Sequence, residues 1–234
     1  MTGIQKRKLI IIPAYNEEEN IVGLISEIKR KAADFDYVVI NDCSKDNTLG
    51  LCRDNGINVI DLPINLGIGG AVQTGYRYAY QKGYDYAIQL DGDGQHDPGF
   101  LELMFDKAVA QDADMLIGSR FIEKEGFQST TARRFGIRYF TGLICILTGK
   151  VITDPTSGFR MVNRKVIEKF AWDYPRDYPE PESVVSVLKE NGKVVEIPVK
   201  MRERQGGVSS INIKRSMYYM IKVTIAMIME RIRR

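Results

Sequence analysis

The chain has 234 residues, 44% hydrophobic and 27% charged, with a net charge of +3. That length holds one large α/β domain and crowds two, and the balance excludes disordered, collagen-like and strongly nucleic-acid-binding classes. Cys43, Cys52 and Cys145 lack metal spacing, which fits packing thiols in a reducing compartment better than a disulfide framework.

Met1 to Lys8 lead straight into an apolar run at 9–12, too short for a secretory core and without a cleavage site, so it reads as a first strand. A helix follows at 17–31, with Ile21, Leu24, Ile25 and Ile28 on one face, then a strand at 37–40. The next helix starts where Asp46 or Asn47 can cap it and ends near Asn55-Gly56. A strand at 58–62, a helix at 67–81, a strand at 86–90, a helix at 98–111 opened by Pro98, and a strand at 115–118 complete this half. Val- and Ile-rich runs alternating with helical patterns predict an α/β fold of βαβ units with a mainly parallel sheet.

Beyond Arg120 the regularity weakens. Residues 123–131 read as a polar loop, 133–148 as a helix, 165–172 as a short helix, 174–182 as a proline-rich loop, 184–191 as a helix and 193–199 as a strand. The longest apolar stretch, 217–229, is interrupted by Lys222 and falls short of the roughly 20 residues of a spanning helix, so no membrane crossing is expected.

Asp91-Gly92-Asp93 carries the strongest chemical signal. Two carboxylates leave the end of a buried strand together, where a parallel sheet binds ligands, and such a pair can hold a divalent cation bridging diphosphate oxygens. A plainer reading is a polar turn that caps the helix at Pro98 through Asp97; His96, the single histidine, fits capping or packing as well as catalysis. Pro13-Ala14-Tyr15-Asn16-Glu17 and Asn41-Asp42-Cys43-Ser44 leave the same sheet edge. Asp42 can accept from a base N–H and Tyr15 can pack on base or ribose, although such residues are often simple turns and caps. Gly67-Ile68-Gly69-Gly70 lacks the placing of a phosphate loop and suits tight turning that shapes the donor site.

Together with Gly118-Ser119-Arg120 and the run Asp154-Pro155-Thr156-Ser157-Gly158-Phe159-Arg160, these motifs resemble family 2 glycosyltransferases of the GT-A, Rossmann-like nucleotide-binding fold. The likeness is to the dolichol-phosphate mannosyltransferase and polyprenyl-phosphate glycosyltransferase branch. It implies that Pro13, Ala14, Tyr15, Glu17, Asp42 and Gly67 border the nucleoside. It implies also that Asp91 and Asp93 handle metal and diphosphate with Gln95 as a further ligand, and that Asp93 and Arg120 act in transfer. Arg120 would lie near the sugar and acceptor phosphate, and Arg204 with Ser209 would close over the diphosphate. Mg2+ or Mn2+ would be the cofactor, with inversion at the anomeric centre, and a UDP- or GDP-sugar the donor.

The acceptor has two readings. A polyprenyl phosphate is ionised and attacks unaided, with Arg133 and Arg134 as further grips on its phosphate; a glycan hydroxyl needs a base, and Glu180 or Glu182 stands at about the interval where hydroxyl-using relatives place one. Residues 1–212 are expected to form the catalytic domain and 213–234 a basic amphipathic helix. Its Tyr218, Ile221, Ile225, Ile228 and Ile232 lie at helical spacing between Lys214, Arg215, Arg231, Arg233 and Arg234, which suits peripheral contact with the cytoplasmic membrane face. A membrane-protein partner or a second subunit is the other reading of this helix. A non-catalytic nucleotide-sugar-binding subunit and a nucleotidyltransferase are the rival functions; the latter's glycine-rich first loop is replaced here by 13–17.

Overall fold

The computed structural model describes residues 6–123, 131–177, 179–202 and 213–233, with side chains from 134 and from 218 onward in the helices that begin at 131 and 213. Among the described residues, β1 (Lys8–Ala14), β2 (Asp36–Asn41), β3 (Val59–Asp61), β4 (Tyr86–Gln89), β5 (Met115–Ser119), β6 (Arg160–Asn163) and β7 (Val194–Pro198) form one sheet in the order β3-β2-β1-β4-β6-β5-β7. Every pairing is parallel except those of β6, which runs antiparallel between β4 and β5.

Helices cover both faces: α1 (Ile21–Lys31), α2 (Thr48–Asp54) and α4 (Leu101–Ala110) on one, α3 (Gly67–Lys82), α5 (Thr131–Thr148), α6 (Arg164–Trp172), α7 (Pro179–Lys189) and α8 (Ile213–Ile232) on the other. β1 is buried along its whole length, which explains its continuous apolar run: Ile10 and Ile12 point into the first core, Leu9 and Ile11 into the second. Each of these side chains contributes about 1.5–3 kcal/mol by burial. A Cβ added at Gly75 of α3 would stand 2.2 Å from Ile11 Cγ2, so α3 lies close against β1 only because Gly75 has no side chain.

Three expectations are corrected. α1 begins at Ile21 rather than residue 17, because 15–20 form the turn that carries Glu17. β6 was not expected; Arg160 and Asn163 mask a strand that pairing to β4 and β5 imposes. α7 starts at Pro179, inside the expected loop. Pro179 presets the helical φ at the first position, and Pro181 two residues on loses no helical bond, since N–H groups of a first turn have no partner within the helix.

Candidate active site

The ends of β1, β2 and β4 leave one edge of the sheet, and loop hydrogen bonds hold them together. Asn16 adopts the left-handed region, φ 56°; its N–H donates to Ser44 Oγ and its Oδ1 accepts from Lys45 N. Glu17 N donates to Thr48 Oγ1 at 2.8 Å, and Asp46 accepts from the N–H groups of both Thr48 and Glu18. Asp42 is buried, with Oδ1 accepting from Leu66 N at 2.7 Å and its carbonyl accepting from Asn65 Nδ2, so the start of α3 is fastened to the end of β2.

These ends enclose a cavity of about 380 Å³. It brings together Pro13, Ala14, Tyr15, Glu17, Asp42, Gly67, Asp91 and Asp93, eight residues from four separate stretches of sequence. Ile68 and Ala71 also line it. They stand three apart in the first turns of α3, a helical spacing that marks them as one face with the apolar positions of that helix. Gly69 N–H donates to the carbonyl of Arg176, and a Cβ there would meet that oxygen at 2.1 Å. Gly69 and Gly70 thus serve close packing, against the Arg176 carbonyl and Leu66, while Gly67 turns the chain at φ 74° where it borders the cavity.

The acidic triplet is fixed by its own backbone. Asp91 N–H donates to His96 Nδ1 at 3.0 Å, Asp91 Oδ1 accepts from Gln89 Nε2, and Gln95 N–H donates to Asp93 Oδ1. His96 is buried, stacked on Phe159 with ring centroids 4.8 Å apart, and its Nδ1 is used as an acceptor; it is a framework residue of the triplet. Asp97 caps the turn after it through Gly99 N–H. Burial pushes Asp97 up, but the Gly99 hydrogen bond and the Lys31 and Arg202 cations outweigh it and hold the carboxyl at about 2. Arg202 also holds Glu27 at about 2 by a bidentate pair, and its N–H donates to the carbonyl of Gln95, so this ion network braces the triplet from behind.

Two carboxylates and an amide oxygen nearby form a hard-oxygen donor set that suits Mg2+ or Mn2+. Among the described residues no three His, Cys, Asp or Glu side chains close around an ion. Asp91 and Asp93 line the cavity and Gln95 does not, so these residues fit an open site that would leave positions for further oxygen ligands.

The other predicted residues lie elsewhere. Arg120, buried at the end of β5, donates through Nε and Nη2 to both oxygens of Asp154 at 2.7 Å and through Nη2 to Thr156 Oγ1. Glu196 in turn accepts from Thr153 N, Thr153 Oγ1 and Asp154 N; burial pushes its carboxyl up. The sequence places Asp154 in a motif but gives no sign of its clamp on Arg120, 34 residues away. Glu180 and Glu182 occupy the first turn of α7, on different faces. Glu182 is near Glu230 of α8, Asp173 and Asp177, and neither Glu180 nor Glu182 lines the cavity. Arg160, almost fully buried, donates to the Glu180 and Pro155 carbonyls and to Ser183 Oγ, tying α7 to the turn behind Asp91. Arg134 is exposed on α5; Arg204, Ser209 and the side chain of Arg133 lie outside the described residues.

Comparison with known proteins agrees with this architecture. The polyprenol monophosphomannose synthase of Mycolicibacterium smegmatis is 29% identical over 91% of this chain and 85% of its own. The UDP-N-acetylglucosamine–dolichyl-phosphate N-acetylglucosaminyltransferase of Methanococcus voltae is 26% identical over 82% of this chain and 84% of its own. The crystal structure of glucosyl-3-phosphoglycerate synthase from Mycobacterium tuberculosis with Mn2+, UDP-glucose and phosphoglyceric acid superposes with a TM-score of 0.75. It covers 97% of this chain and 80% of its own at 15% identity, a likeness of GT-A fold alone. The profile of glycosyl transferase family 2 matches residues 9–171, most of the chain, and this glycosyltransferase belongs to that family.

Proposed function

We propose that the enzyme transfers a sugar, with inversion, from a UDP- or GDP-sugar to a polyprenyl phosphate at the membrane surface. The observation that carries the donor half is a single cavity bordered by Asp42 from β2 and by Asp91 and Asp93 from β4. Its volume is in the range of small-ligand sites. Asp42 offers a carboxylate to a base N–H, Tyr15 a partly exposed ring, and the triplet two carboxylates toward the diphosphate. A divalent cation there, Mg2+ or Mn2+, would offset the charge that grows on the departing nucleoside diphosphate. Arg120 is assigned to the acceptor side, where Asp154 fixes its guanidinium in one orientation. The acceptor half draws its support from the polyprenol and dolichyl phosphate relatives.

Calorimetric titration with UDP and with GDP, each with Mn2+, followed by transfer of labelled sugar from the binding nucleotide to membranes, tests the assignment. An acid-labile lipid product is expected. Binding of neither nucleotide would remove the donor reading, and binding without transfer to any acceptor would favour the non-catalytic subunit. A glycan hydroxyl remains the second reading, with Glu180 or Glu182 as its base; neither carboxylate lines the cavity. Transfer to a soluble saccharide, lost in Glu180→Gln, would establish it in place of the lipid.

A further inference from the structure

Gln89 closes β4 and is almost fully buried, at 1% exposure. Alternation along the strand puts Ala87 in the second core and Ile88 in the first, so position 89 returns to the second, where an apolar side chain is the ordinary occupant. Its amide has one partner: Nε2 donates to Asp91 Oδ1 at 3.0 Å. Oε1 is buried and meets no donor among the described residues. Arg160, paired with Gln89 across β4 and β6, does not serve it. The Arg160 guanidinium donates instead to the Ser157, Pro155 and Glu180 carbonyls and to Ser183 Oγ.

That orphaned oxygen shows what Gln89 is for. A buried carbonyl oxygen without a donor destabilises a fold, whereas Leu or Met in the same place would bury cleanly. Turning the amide over brings no relief, because an ionised carboxylate only accepts, and Oε1 would then face Asp91 Oδ1. The amide is therefore held in the orientation that serves Asp91, at the expense of the core. Gly158 completes the seat: a Cβ there would stand 3.0 Å from Gln89 Nε2 and 3.2 Å from Asp91 Oδ2, so both side chains use the space that its missing side chain leaves. With its N–H given to His96 Nδ1 and its Oδ1 engaged by Gln89, Asp91 is held against rotation where it lines the donor cavity.

We propose that Gln89 is a positioning residue for the cation of the donor site, fixing the Asp91 carboxylate in the orientation that a divalent ion meets. This role rests on the metal reading of Asp91 and Asp93 and extends it to a buried residue outside the acidic triplet. Outer groups that orient a metal-binding side chain are worth about 10–100-fold in metal affinity or activity.

Calorimetric titration of Mn2+ in the presence of UDP or GDP, whichever the protein binds, compares the full chain with Gln89→Met and Gln89→Leu. Melting curves in EDTA are taken on the same three proteins. Both substitutions remove the donor and the orphaned oxygen together. Mn2+ binding is expected to weaken about tenfold or more while the metal-free midpoint stays level or rises, and turnover should recover as Mn2+ is raised. A merely structural glutamine would do the reverse, with a lower midpoint and Mn2+ affinity unchanged, and that result would overturn the role. Equal Mn2+ binding by parent and variants removes Gln89 alone and leaves Asp91 and Asp93 in place. A parent that binds nucleotide but no Mn2+ would bring down the metal reading, and this role with it.

Discussion

The two halves of the molecule solve different problems with different means. Along the ends of β1, β2 and β4, the groups proposed to meet a nucleotide are set by backbone and short side-chain hydrogen bonds, and they border one cavity. Around β5, α5, α7 and α8, long side chains are committed to one another, as Arg120 is to Asp154, and the outer surface is apolar and basic. On the proposed reading, a small, highly charged donor is met by fixed dipoles and carboxylates, which must be placed accurately and so sit on strand ends. On that reading, an acceptor carried by a bilayer would be met by where the domain lies, which a surface decides.

The largest effect that would break this division is at the triplet. Asp93→Ala is expected to lower turnover about a thousandfold or more while leaving the thermal midpoint nearly unchanged, because Asp93 lines the cavity, lies outside the core and is proposed to serve developing charge. Steady-state transfer and a melting curve on the same protein check it. Turnover within a few fold of the parent would place the chemistry elsewhere. On the other side, Asp154→Ala strands the buried Arg120 without its counter-ion. It is expected to cost about 3–5 kcal/mol, a fall in the midpoint of roughly 10 °C, along with activity. A variant that melts like the parent would mean that the pair is not as buried as it stands here.

A smaller effect sharpens the role of the brace behind the triplet. Arg202→Met removes the main group that lowers Glu27 to about 2, and one that, after the Gly99 hydrogen bond and Lys31, lowers Asp97 to about 2. Lowered carboxylates contribute stability above their ordinary pKa near 4 and lose it as pH falls toward 2, so the variant should be about 1–2 kcal/mol less stable at neutral pH. The difference should shrink in acid once both groups are protonated in either protein. Denaturant midpoints across that range provide the test; a difference independent of pH would show that Arg202 acts through packing alone.

How far the sequence carries differs between the same two halves. Asp42, Asp91 and Asp93 are legible because each follows an apolar run that can only be a buried parallel strand, and the end of such a strand is a ligand edge. β6 and the start of α7 are not legible. Arg160 and Asn163 look unlike a strand until β4 and β5 pair with them, and Pro179 and Pro181 look like a loop until both fall in a helical first turn. The clamp of Asp154 on Arg120 joins residues 34 apart and needs the fold to be seen. The apolar stripe of α8 is legible from its spacing, while its packing beside α5 becomes apparent only in the fold.

Glu182 gives the smallest and most discriminating test, since it asks whether a carboxylate near the acceptor side serves chemistry or packing. Burial, then the carboxylates of Glu230, Asp173 and Asp177, push it from the usual 4.5 up to about 7. A raised acid leaves folding unpenalised below 4.5. As pH rises from 4.5 to about 7, the unfolded chain releases the proton that the folded chain retains, so stability declines, and above about 7 the whole penalty is present. Glu182→Gln removes that penalty. Because the side chain still meets some solvent, the gain is discounted to about 1 kcal/mol, or roughly 2–4 °C in the midpoint, at about pH 8. The gain should vanish near pH 4.5, with transfer activity retained at both ends. Loss of turnover without a pH-dependent gain in stability would return Glu182 to the list of bases and would require α7 to present that face to the donor cavity.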